Sequence, residues 1–278
     1  MSRFIIDDNT NNDILYPTIN GEKKGHGYDP DQVDASRVKS MRATLFGDAP
    51  GQLQLIPRSE WDARYDEQEE RQSSLSHLFM RMNYGRPGKV LDQNGQGFCW
   101  NYSVTQMLMV LRGLSNLPYV ELSGHANACL IKDFQDEGGW GAEAAMYAEA
   151  HGAPSVQYWA EKSMSRSNNT AAMRENALLH RPSEAWADES KAVYDMNLTE
   201  DEVATLCFNN IPYIHDSNDW SHSILGMRWV RVERGLWCPE ILNSWTEGWG
   251  NHGFATLNGR RRLPDGGLAL RVITASVN

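Results

Sequence analysis

The patterning of apolar residues predicts an α+β fold, on three observations. Behind Cys99, residues Trp100, Val104, Met107, Leu108 and Leu111 recur at three- and four-residue steps, the period of a helix. Residues 223–232, 237–244, 253–257 and 268–275 alternate or run apolar between Gly, Asn and Asp, as antiparallel strands do. The helical signals precede Ile211-Pro212-Tyr213-Ile214 and the strand signals follow it, which predicts a helical lobe packed on a sheet lobe.

Composition narrows the function classes. The 278 residues suffice for a sizeable core, and 41% hydrophobic content with ten tryptophans is that of a globular protein. A net charge of −10 argues against a nucleic-acid groove. The one basic cluster, Arg260-Arg261-Arg262, reads as a solvated hairpin tip. No run reaches the ~18 apolar residues of a membrane helix. The first residues, Met1 to Asp8, lack the apolar core and cleavage site of a secretory signal. Cys99, Cys129, Cys207 and Cys238 have no metal-ligand spacing, so neither a metal nor another cofactor is expected.

Three stretches carry chemistry. In Gln93-Asn94-Gly95-Gln96-Gly97-Phe98-Cys99-Trp100-Asn101-Tyr102-Ser103 a glycine-rich turn runs into the helix, placing Cys99 in the first helical turn. Unpaired N–H groups and the helix dipole favour an anion there, so the thiol is expected to have a lowered pKa. In the second stretch, Asp219-Trp220-Ser221-His222-Ser223-Ile224, a histidine enters a strand. The third is Asn243-Ser244-Trp245-Thr246-Glu247-Gly248-Trp249-Gly250-Asn251-His252-Gly253-Phe254. Cysteine, histidine and asparagine in that order suit a nucleophile, its base and the group that orients the base.

Those segments resemble the papain-like cysteine peptidases (peptidase C1). That family's nucleophile segment reads Q-G-x-C-G-S-C-W-A-F-S, and Cys99-Trp100 and Tyr102-Ser103 keep its pattern. Its asparagine segment, N-S-W-G-x-G-W-G-x-x-G-Y, is followed nearly residue for residue from Asn243 to Phe254. The resemblance implies a two-lobed fold with a cleft between helical and sheet lobes, and catalysis by Cys99, His222 and Asn243. It also implies an oxyanion donor from Gln93, six residues before the cysteine. Asp136-Glu137-Gly138-Gly139-Trp140 is similar to the family's C-x-G-G-x segment, where a glycine pair lets a substrate backbone approach; Gly138, Gly139 and Trp140 are therefore expected at the substrate. Trp245 is expected to shield the His222–Asn243 bond. Secreted members carry a disulfide where this chain has Gln96 and Asp136. That departure, with the missing signal, suits the cytoplasm or another reducing compartment.

Along the chain, residues 1–50 form a polar arm, propeptide-like or partner-docking. They lack the long helix of the family's inhibitory propeptides, which argues against a zymogen, and an arm tied to this domain or to a protein partner is expected. The peptidase-like domain spans 51–278. It opens near Ile56-Pro57-Arg58-Ser59-Glu60-Trp61, with helical insertions near 65–90 and 160–198, the latter free of recognisable chemistry. Ser123 is a candidate N-cap, residues 142–150 an alanine-rich helix ended by Gly152, and Thr199-Glu200-Asp201-Glu202 a capping box.

Two functions from different classes fit. One is a cysteine endopeptidase that hydrolyses polypeptide through a Cys99–His222 thiolate–imidazolium pair and a thioester. The other is an assembly component, in a virion or another large complex, in which that chemistry is incidental or lost.

Overall fold

A computed structural model describes residues 3–182 and 192–271. Mixed helix and sheet is what it shows. The central helix, Cys99–Leu114, is buried from Cys99 to Arg112, and polar residues of its first turns are bonded internally. Asn101 Nδ2 donates to the Gly124 carbonyl at 2.7 Å and Thr105 Oγ1 to the Asn101 carbonyl at 2.9 Å. Helices Gly124–Ile131 and Gly141–His151 pack beside it. Ser123 stands at the N-cap of the first, yet its hydroxyl makes no capping bond; Gly152 ends the second with a positive φ. The Thr199–Glu202 capping box forms in full and opens helix Glu200–Phe208. The acidic stretch predicted as a helical insertion folds as Trp61–Arg71 and Leu75–Phe79, and the later insertion holds Ala171–Leu178.

Seven strands form the main sheet. Tyr213–Ser217, His222–Glu233, Leu236–Leu242 and Phe254–Leu257 are an antiparallel meander at its centre. Gly266–Gly267 and then Asp195–Met196 extend one edge, and the N-terminal Ile5–Ile6 pairs parallel with Phe254–Leu257 at the other. The predicted strand at 268–275 is not found as such. The strand is Gly266–Gly267, buried Leu268 to Leu270 follow it with one antiparallel bridge between Ala269 and Tyr213, and residues 272–275 lie outside the described residues. A Cβ at Gly267 would come within 2.4 Å of the Ile214 carbonyl oxygen, so this position of the edge strand requires glycine.

The central helix packs on the His222–Glu233 strand, and this contact between lobes forms the larger core. A smaller core, built on Ile6, Leu15, Trp220, Trp245, Trp249 and Leu257, ties the arm to the sheet lobe. Trp220 Nε1 donates to the Leu15 carbonyl (2.9 Å) and Trp249 Nε1 to that of Ile14 (3.1 Å). The arm is therefore docked on its own domain.

The Arg260–Arg262 cluster departs from the solvated tip expected of it. Residues Gly259–Arg261 form a 3-10 turn whose Arg261 is buried and paired with Asp219 at 2.5 Å. A guanidinium taken out of water needs such a partner.

Candidate active site

Cys99 is the first residue of the central helix, and its sulfur lies where helix, sheet and arm meet. His222 opens the strand whose next residue, Ser223, points its backbone N–H at the Cys99 sulfur, and Ser223 Oγ bonds Ser103 Oγ, one turn down the helix, at 3.1 Å; His222 makes no hydrogen bond to that sulfur. His222 Nε2 donates to Asn243 Oδ1 at 2.8 Å. That oxygen also accepts the Ser244 N–H at 2.8 Å, which sets which end of the amide is oxygen. The donor on Nε2 leaves Nδ1 unprotonated in the neutral ring, and Nδ1 is buried with no partner. The ring of Trp245 stacks on the His222 imidazole, centroids 4.5 Å apart at 24°.

Gln93 is fully buried, and Ser244 Oγ donates to its Oε1. Its Nε2 faces a peptide carbonyl, that of Gly25 in the chain's own arm, at 2.9 Å. The Trp245 indole N–H reaches the same oxygen at 3.3 Å. Gly139, across the site, donates to the Gly27 carbonyl (2.8 Å) and accepts from the Asp29 N–H (3.0 Å), a strand-like exchange in parallel register with Tyr28. Gly138 gives its carbonyl to Gln32 Nε2 at 3.1 Å. Trp140 is buried, edge-on to Tyr194. Gln93 and Gly139 thus converge on one stretch of the arm, residues 25–29, and Gly138 meets the same arm at Gln32.

Two alternating glycine stretches bring these backbones so close. A Cβ on Gly25 would lie 2.1 Å from the Gln96 oxygen, and one on Gly27 only 1.9 Å from the Gly97 oxygen. Both obstacles are backbone. Gly97 is itself pinned by an N–H···Asp136 Oδ1 bond of 2.7 Å, a non-covalent tie between the two loops. His26 lies with its ring 5.1 Å from those of His222 and Trp245. Lys24 anchors the arm. Its side chain is buried and bonds Asp92 at 2.7 Å, while Lys162 holds the other Asp92 oxygen at 2.7 Å. Burial pushes the Asp92 carboxyl up, but the two lysines outweigh it and hold it below its usual range. Lys162 gives the second insertion a role that the sequence did not suggest.

Burial under the arm reverses one expectation. The Cys99 thiol, read as activated by the helix N-terminus, is instead pushed up to about 12 by burial, against the pull of the Ser223, Gly27 and Tyr28 N–H groups. Burial likewise drives His222 well below 6.5, with His26 adding to it and Asn243 opposing. A helix end favours an anion by only about 0.3–2 kcal/mol, less than the cost of burying an unpaired thiolate. With the arm in place the pair is neutral thiol and neutral imidazole.

Asp216 lies beneath Tyr28, unannounced by any motif. It is fully buried, accepts the Tyr194 hydroxyl at 3.0 Å, and burial raises its carboxyl to about 7. A carboxyl raised on folding contributes stability that is present below its unfolded pKa and lost as pH rises toward 7, at a cost on the order of 4 kcal/mol there. Asp216→Asn, which can still accept from Tyr194, is expected to raise the melting temperature at pH 7–8 and leave it nearly unchanged at pH 4. Equal shifts at both pH values would contradict this account.

The fold is that of papain-like cysteine proteases. Neither family models nor curated sequences gave a match. Among solved structures the chain is similar to xylellain, a cysteine protease from Xylella fastidiosa, with a TM-score of 0.58 and 13% identity over 91% of this chain and 98% of that one. Digestive procathepsin L 3 from the larval midgut of Tenebrio molitor matches at TM-score 0.52 and 14% identity, over 83% of this chain and 96% of that one. A recombinant stem bromelain precursor matches at 0.52 and 14%, over 78% and 74%. No described helix is long and apolar enough to cross a membrane.

Proposed function

We propose that the chain is a cysteine endopeptidase acting on extended polypeptide, and that residues 22–29 of its own arm keep the cleft shut. The observation that carries this reading is one stretch of the arm whose Gly25 carbonyl is held by the Gln93 amide while its Gly27 and Tyr28 N–H groups point at the sulfur of fully buried Cys99.

The chemistry starts when the arm lifts. Water and substrate then reach Cys99, the burial that holds its proton is relieved, and the proton passes to His222 Nδ1. The thiolate attacks the scissile carbonyl carbon, and Gln93 Nε2 with the Cys99 N–H takes the charge that forms on oxygen. Asn243 keeps the imidazolium in plane through Nε2. As the tetrahedral centre collapses, His222 gives its proton to the leaving amine. Water, deprotonated by the same imidazole, hydrolyses the thioester and regenerates the thiol. Gly139 supplies strand-like bonds to the substrate backbone, as it does now to Gly27 and Asp29 of the arm, and Gly138 offers its carbonyl beside it.

The inhibitory role of the arm rests on the same contacts, and two matched structures bear names of precursor forms. The virion or assembly reading gains no support from the site.

Acid should open the arm. Burial drives His26 down to about 4, opposed by its bond to the Trp220 carbonyl, whereas a released histidine titrates near 6.5. Closure is therefore fully favoured above 6.5 and weakens about tenfold per pH unit from there to about 4. Asp92 and His222, both depressed in the closed state, push the same way. The test is to label the full chain with an epoxysuccinyl probe between pH 7.5 and 4.5, following circular dichroism in parallel. Adducts on Cys99 that accumulate faster as pH falls, with the fold intact, are expected; no adduct at any pH would remove the peptidase reading.

A further inference from the structure

The far end of the central helix presents a second site. Arg112, in the last turn, is 4% exposed. Its Nη2 donates to the Pro118 carbonyl at 3.1 Å, but Nε and Nη1 are buried without a partner, and no carboxylate among the described residues pairs with it. Arginine cannot escape such a site by losing its proton. The helix dipole and one carbonyl offset only part of the cost of burying an unpaired guanidinium.

Arg112 lines a cavity of about 500 Å³ together with Tyr119, Ser155, Val156, Leu179 and His180. That volume suits a small organic molecule. The His180 Nδ1 is already bound to the Ala153 carbonyl at 2.9 Å, and the ring is pushed down to about 4 by burial, so it is neutral at pH 7. One cation thus faces partly apolar walls, with Glu121 as an acidic group on the lining. A doubly charged anion would be poorly balanced there, whereas one negative charge on an apolar body meets both features.

We infer that this cavity binds a small organic monocarboxylate, its carboxylate on Arg112 and its apolar body against Val156 and Leu179. The site is distinct from the cleft: thirteen residues of helix, about 20 Å, separate Arg112 from Cys99.

The test is thermal denaturation of the full chain at constant ionic strength with benzoate, acetate or inorganic phosphate as probes, in wild type and in Arg112→Met. Benzoate should raise the melting temperature of the wild type saturably in the millimolar range, at least about threefold more tightly than acetate. The rise should vanish in Arg112→Met, whose side chain fills the same slot without charge. A folded Arg112→Lys, checked by circular dichroism, should retain a weakened response. No saturable effect of any carboxylate, or an equal effect on Arg112→Met, would overturn the site. Binding of phosphate in preference to benzoate would overturn the ligand class.

Discussion

Replacing both Gly25 and Gly27 with alanine is expected to raise the rate at which Cys99 is alkylated at neutral pH by about a hundredfold. Each new methyl group would sit about 2 Å from a backbone oxygen, that of Gln96 or Gly97, where no side chain can swing away. Overpacking of this kind costs roughly 1–3 kcal/mol per site, and about 3 kcal/mol in total is a hundredfold in the population of the open arm. The fold should survive, because the rest of the arm is held elsewhere: Ile5–Ile6 in the sheet, and Ile14 and Leu15 on the tryptophans. Unchanged alkylation would mean that the arm does not control access to the sulfur.

In that opened background, His222→Ala is expected to lower the rate of peptide hydrolysis by about 10²–10⁴, the range for loss of a positioned acid–base group. Nδ1 is the buried ring nitrogen with no partner of its own, whereas Nε2 is committed to Asn243. Cys99 alkylation should fall in the same variant and acquire the pH dependence of a free thiol near 8.5. If alkylation kept its rate and pH profile, His222 would be a packed residue of the sheet and not the base.

Much of this was legible in the sequence wherever local chemistry dictates structure. The central helix follows from its apolar period, and Thr199 caps its helix because Glu202 stands three residues on. Gln93, His222 and Asn243 are read from three short segments, and the His222–Asn243 bond follows from the sheet register that sets Leu225 beside Leu242. What escaped was long-range and carried by backbone. Nothing in Gly25-His26-Gly27 announces a partner seventy residues away; the only hint was a second alternating pair, Gly95 and Gly97, since two chains approach this closely only where both lack side chains. The reversed pKa of Cys99 escaped for the same reason, because what covers the sulfur is the arm. Asp216, Lys162 and Trp140 acquire their surroundings from tertiary packing alone, so neither the acid under Tyr28, nor the second lysine on Asp92, nor the burial of Trp140 could be read locally.

The most direct test is hydrolysis of an unstructured polypeptide by the Gly25→Ala/Gly27→Ala chain, with and without the further change Cys99→Ala. The account predicts steady cleavage when Cys99 is present and none when it is absent. A folded chain with an open arm and a freely alkylated Cys99 that cleaves nothing would contradict it.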